Sequence, residues 1–140
     1  MRRLIKFAMT SLYPRSEDLP GLADTDLDGY LNTFFREAPF VHRAAIVAGT
    51  AAIVAGPILT LRRPLLATSL DPEALATHLE RLAYHRLYIV RQLTFLMKMV
   101  AGMAWGASDP VRASFDLPPL EDDPKTWRSD GVPAAQDQPI

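Results

Sequence analysis

The residues of this chain best suited to acid–base work or metal ligation are its three histidines, His42, His78 and His85. None forms an i, i+4 pair, and neither HExxH nor ExxH occurs. His85 follows His78 by seven positions, about two helical turns, so the two cannot grip one ion directly. They read as solvated or hydrogen-bonded helix histidines, and no metal site is expected. Asp24, Asp26 and Asp28 form a D-x-D-x-D run that invites a cation loop. Gly29 stands at the sixth position counted from Asp24, as an EF-hand requires, but the twelfth is Phe35 instead of glutamate. The aspartates therefore read as helix-capping acids. The chain has no cysteine, which removes disulfides, thiolate metal sites, c-type haem attachment and a thiol nucleophile. No GxGxxG, GxxxxGK[ST] or GxSxG occurs, so no phosphate loop or nucleophile elbow is present. No catalytic, cofactor-binding or metal residues are assigned.

A second constellation is polar rather than reactive. Tyr84, Arg91 and Lys98 recur at intervals of seven, with Tyr88 and Phe95 beside them. The plain reading is a stripe of long cationic side chains that keep their heads in water. The sharper one is a polar seam that meets acids of this chain or of a partner. Trp105 and Trp127 are the two tryptophans. Trp127 stands among polar residues, and such an aromatic suits a partner pocket or a fold-back onto its own helices.

The elements that must position these residues read as helices. Leu27, Tyr30, Leu31, Phe34 and Phe35 follow i, i+3, i+4, i+7, i+8, one apolar helical face over about 25–38. Thr25 or Asp24 is the expected cap, with Asp26 and Asp28 in the first turn. A second helix is expected over 40–61, with Pro57 kinking its last turn. A third, over 72–106, starts with Asp71 as cap, Pro72 at the first position and Glu73 favouring the dipole. At that length it is either one long helix or two with a bend near 83–85. A short fourth helix is expected near 110–115. Nothing alternates long enough to form a sheet, so the fold class is all-α with three to four helices. The expected organisation is an irregular N-terminal arm (1–23), a helical domain (24–116) and an extended or disordered tail (117–140). The tail holds five of the twelve prolines and several acids, too little apolar matter for a core of its own.

Residues 44–61, AAIVAGTAAIVAGPILTL, carry no charge. As a helix they extend roughly 27 Å, short of a hydrocarbon core of about 30 Å. Ile46, Val47, Ile53, Val54, Ile58, Leu59 and Leu61 contribute roughly −2 to −4 kcal/mol to insertion, opposed by glycines, threonines and Pro57. His42 and Arg43 on one flank and Arg62 and Arg63 on the other set no orientation. Residues 87–106 would bury Arg91 and Lys98 in lipid and are no easy second span. Ala45, Gly49, Ala52 and Gly56 recur every three or four residues along one side, where another backbone can approach closely. Two readings stay open: a helix buried in a soluble fold or complex, and a membrane anchor.

The composition is 49% hydrophobic and 22% charged with net charge −1, ordinary for a folded domain and without a basic field for nucleic acid. MRRLIKF opens with a twin arginine, but FAMTSLYPRSED is broken by Pro14, Arg15 and acids. It reads as a basic arm rather than a cleaved signal, and the chain is expected in the cytoplasm or on a membrane.

Two stretches carry a family resemblance. They are LPGLADTDLDGYLNTFFREAP and the run from Arg62 to Pro118. The second includes Arg63-Pro64-Leu65-Leu66, Ser69-Leu70, Pro72-Glu73 and His78-Leu79-Glu80-Arg81-Leu82. It continues through Arg91, Leu93, Leu96 and Lys98 to an exit of Trp105, Asp109-Pro110-Val111, Phe115 and Leu117-Pro118. Together they resemble the small helical segment that accompanies glucose-methanol-choline flavoprotein oxidoreductases, at the N-terminus of long-chain alcohol oxidases or as small subunits like that of gluconate 2-dehydrogenase. The resemblance implies a non-catalytic accessory subunit, in a hetero-oligomer with a larger flavoprotein that holds the FAD. Its expected interface residues are Ala45, Gly49, Ala52, Gly56, Tyr84, Arg91, Lys98, Trp105 and Trp127, with membrane contact through 44–61 as the alternative.

Overall fold

The computed structural model describes residues 1–120, whose regular structure is all helical, with no strand among them. In chain order the α-helices are α1 (Arg2–Leu12), α2 (Leu27–Glu37), α3 (Phe40–Ala55), α4 (Pro57–Thr60), α5 (Pro72–Ala83), α6 (Tyr88–Gly106) and α7 (Asp109–Ser114). Short 3-10 turns at Leu22–Asp24 and Ala67–Ser69 complete the set. The all-α class agrees with the sequence. The number of helices does not, for three separable reasons.

The first is the N-terminal segment, expected to be irregular. It forms α1, whose Ile5, Ala8 and Met9 are buried against α3 and α6. Ile5, Ala8, Met9 and Leu12 are spaced i, i+3, i+4, i+7, a helical face in plain view. Arg2 and Lys6 fix its outer side to Asp28 at 3.2 and 2.7 Å.

The second is the segment expected as one helix over 40–61, which ends at Ala55 and restarts at Pro57. Proline has no N–H, so the Ile53 carbonyl four residues earlier loses its intrahelical donor. The third is the long stretch over 72–106. It divides into α5 and α6 with a bend of 119°, the two-helix alternative of the sequence reading. Asp71 caps α5 by accepting from the Ala74 N–H at 2.8 Å, and Pro72 takes the first turn.

The cap of α2 also moved. Asp26, and neither Asp24 nor Thr25, accepts from the Gly29 N–H at 2.9 Å. Asp24 instead closes the preceding 3-10 turn through the Gly21 N–H and pairs with Arg15 at 2.9 Å.

One core unites these elements: Ile5, Ala8 and Met9 of α1, Leu22, Leu27 and Leu31, Ile46 and Ile53 of α3, Leu82, and Met97, Val100, Ala101 and Ala104 of α6. The α3–α6 pair is its centre and runs antiparallel, Gly49 lying on Leu93 and Met97, and Ala55 on the side of Leu87 and Val90.

Candidate functional site

The small-residue side of α3 is consumed inside the fold. Gly49 is buried, and a side-chain carbon there would stand 2.5 Å from Met97 Cγ and 3.2 Å from the Leu93 carbonyl oxygen. Gly56 is buried under the His78 ring, whose Cε1 lies 2.7 Å from where its Cβ would be. Ala45 and Ala52 are half-buried on the same side. The close approach expected of these residues is thus made to α6 and α5 of the same chain, and Gly49 and Gly56 are closed to a partner.

The turn of α3 away from this contact faces outward and carries no polar side chain. Phe40, Val41, Ala44, Ala48, Ala51 and Ala55 are all exposed, and Ile58 and Leu59 of α4 extend the face. Its far end opens into a groove of about 190 Å³ between Ala51, Ala55 and Leu59 on one side and Leu82, Leu87 and Val90 on the other.

A second apolar stripe runs along α6. Tyr88, Ile89, Phe95, Met99 and Met103 are exposed, with Phe95 at 62% and Gln92 the polar residue among them. On a 3.6-residue helix these positions share one side. Lys98 is exposed at the margin of the stripe, and no ion pair among the described residues engages it. Arg91 is half-buried and turned back on its own helix start: its guanidinium donates to the His85 carbonyl at 2.9 Å and lies 5.6 Å from the Tyr88 ring centre. Tyr84 ends α5 at the bend and is 81% exposed. Tyr84, Arg91 and Lys98 therefore make no continuous seam.

Trp105 is half-buried and engaged within the chain. Its Nε1–H donates to the Pro20 carbonyl at 2.8 Å, its ring stacks on Tyr13 at 5.7 Å, and Phe115 meets it edge-on. Trp127 lies outside the described residues.

Of the two readings for the histidines, solvated or hydrogen-bonded, His78 takes the second. His78 is wholly buried. Its Nε2 lies 2.8 Å from the Ile53 carbonyl, the acceptor that Pro57 leaves without a partner. A carbonyl only accepts, so Nε2 carries the proton and Nδ1 accepts from the Thr60 hydroxyl at 2.6 Å. Burial pushes the His78 pKa below its ordinary value, and the bond to Ile53 opposes that shift. One helical turn on, the Arg81 guanidinium donates to the Thr60 carbonyl. The histidine is a clasp for the α3–α4 break. Among the described residues no group of three or more His, Asp or Glu could hold a metal ion.

No family model matches the chain, and no curated protein or solved structure matches it significantly.

Proposed function

We propose that this chain is a non-catalytic helical subunit that binds and stabilises the large subunit of a flavin-dependent alcohol, sugar or steroid-type oxidoreductase, with FAD held by that partner. What supports a docking role is one observation: the outward side of α6 is lined with Tyr88, Ile89, Phe95, Met99 and Met103. Aromatic and methionine side chains are enriched in recognition surfaces, and methionine adapts its shape to a partner. The flavoprotein identity of the partner rests on the resemblance of 19–39 and 62–118 alone. The test is co-expression with a flavoprotein encoded in an adjacent reading frame. The two chains are expected to purify together as a yellow complex, with the flavoprotein losing yield when this chain is omitted. A colourless, well-behaved monomer beside an unaffected flavoprotein would overturn the proposal.

A second reading, membrane association through 44–61, is favoured by the outward face of α3 and α4, an uninterrupted apolar surface. No single helix among the described residues is long and apolar enough to cross a membrane; α5 and α6 together reach the length and composition but bend by 119° between them. The form of this reading that suits α3 and α4 is a contact in the plane of the interface.

A further inference from the structure

We infer that the α4 end of the molecule is a docking surface for the negatively charged face of a lipid bilayer. The inference deepens the surface-contact reading of 44–61 and is independent of the flavoprotein. Three elements converge at this end. Ile58 and Leu59 project from α4, and Leu59 is 79% exposed. Leu65 and Leu66 stand exposed in the loop that follows, and Leu87 stands exposed at the α5–α6 bend. The groove between α3 and the bend joins Leu59 to Leu87, so the two parts form one apolar end continuous with Ala51 and Ala55.

The charge around this end is net positive: residues 57–91 hold Arg62, Arg63, Arg81, Arg86 and Arg91 against Asp71, Glu73 and Glu80. Arg62, Arg63 and Arg86 are exposed within a few residues of the apolar side chains. The chain's ion pairs among the described residues are Arg2 and Lys6 with Asp28, Arg15 with Asp24, and Arg36 with Glu37, all elsewhere. Asp71 and Glu73 line a shallow depression with Arg63 and Arg81; the Ala74 N–H, and to a lesser extent Arg63, lower the Asp71 pKa, so Arg63 is partly compensated. Arg62 and Arg86 lie outside that depression. Tyr84 and Tyr88, both highly exposed, flank the bend. Apolar side chains that enter the acyl boundary, tyrosines at headgroup depth and arginines against lipid phosphates are what an interfacial surface requires. An anionic surface attracts this end.

The test is sedimentation of the full chain with vesicles of phosphatidylcholine alone and of phosphatidylcholine mixed with phosphatidylglycerol. The chain is expected to bind the mixed vesicles, at least about tenfold more tightly than the neutral ones, at about fivefold for each arginine that reaches the surface. The double variant Arg62→Glu/Arg63→Glu is expected to weaken this binding by more than about twentyfold, and added salt to weaken it for the wild type. Leu59→Asp should abolish it; both variants alter exposed side chains, and unchanged helical circular dichroism confirms that they fold. Equal binding to both vesicle types, unmoved by the arginine variant, would leave the surface-contact reading standing and overturn the anionic preference. No sedimentation with either would overturn both. A dimer in light scattering that Leu59→Asp dissociates, with no vesicle binding, would show a second copy covering this end and overturn the inference.

Discussion

His78 and Pro57 are a matched pair. A helix that carries proline loses one backbone donor, and here the missing donor is supplied from another helix. Leaving a buried carbonyl unsatisfied costs about 1–3 kcal/mol. His78→Phe is therefore expected to destabilise the fold by about that much; the Thr60 hydroxyl keeps the Gly56 carbonyl as an acceptor at 3.2 Å. Pro57→Ala restores the N–H for Ile53, so the same substitution should cost less in that background. A double-mutant cycle by urea denaturation reads the difference as coupling, and strictly additive costs would refute the pairing. The pH dependence has a definite sign. The folded-state pKa lies below the unfolded value of 6.5, so folding favours the neutral ring. This contribution is complete above pH 6.5 and declines as pH falls through the interval below it. Thermal melts between neutral pH and about pH 5.5 should show the wild type losing more stability than His78→Phe. The carboxylates with lowered values, Asp24, Asp28 and Asp71, titrate below the usual carboxylate range and leave that window clear.

At the scale of elements, α3 uses its two sides differently, and the sequence does not say which is which. The side with Gly49, Gly56, Ile46 and Ile53 is inward and the side with Phe40, Val41, Ala44, Ala48, Ala51 and Ala55 outward, whereas the sequence leaves open whether the small-residue side meets this chain, a partner or lipid. The structure resolves it through the buried Gly49 and the exposed Ala48 beside it. Gly49→Leu should drive a side chain into Met97 and the α6 backbone and cost about 1–3 kcal/mol, or more if the helices cannot part. Ala48→Leu should leave stability within about 0.5 kcal/mol, as exposed substitutions do. Equal melting shifts for the two would contradict the assignment of faces. Local signals were legible: Asp71-Pro72-Glu73 marked the start of α5, Pro39 the end of α2, and Asp109-Pro110 the start of α7. What was not legible depends on tertiary contact. The helical spacing of Ile5, Ala8, Met9 and Leu12 stands in the sequence between the twin arginine and Pro14, but its burial needs α3 and α6 to cover it. Trp105, expected at an interface, has its hydrogen-bond acceptor within the chain at Pro20, 85 positions away.

The whole molecule is a helical unit whose polar groups are largely spent on its own backbone and whose apolar surface is not fully enclosed. His78 serves a helix break, Arg91 serves the start of α6, and Arg81 serves the end of α4. Beside exposed charges such as Arg62, Arg86 and Lys98, apolar side chains remain outward on α3, α4 and α6. That distribution suits a component that works by covering and being covered. The proposed division gives α6 to a protein partner and the α4 end to lipid. Its central claim is that the α6 stripe binds the flavoprotein, and an affinity comparison tests it most directly. Binding of the purified chain to that flavoprotein is measured by calorimetry for the wild type and for Phe95→Asp/Met99→Asp, both substituted residues being exposed in the free chain. Anchors at the centre of an interface are worth about 2 kcal/mol or more each, so the double variant should bind at least about a hundredfold more weakly while melting at the wild-type temperature. Wild-type affinity in the double variant would contradict the account.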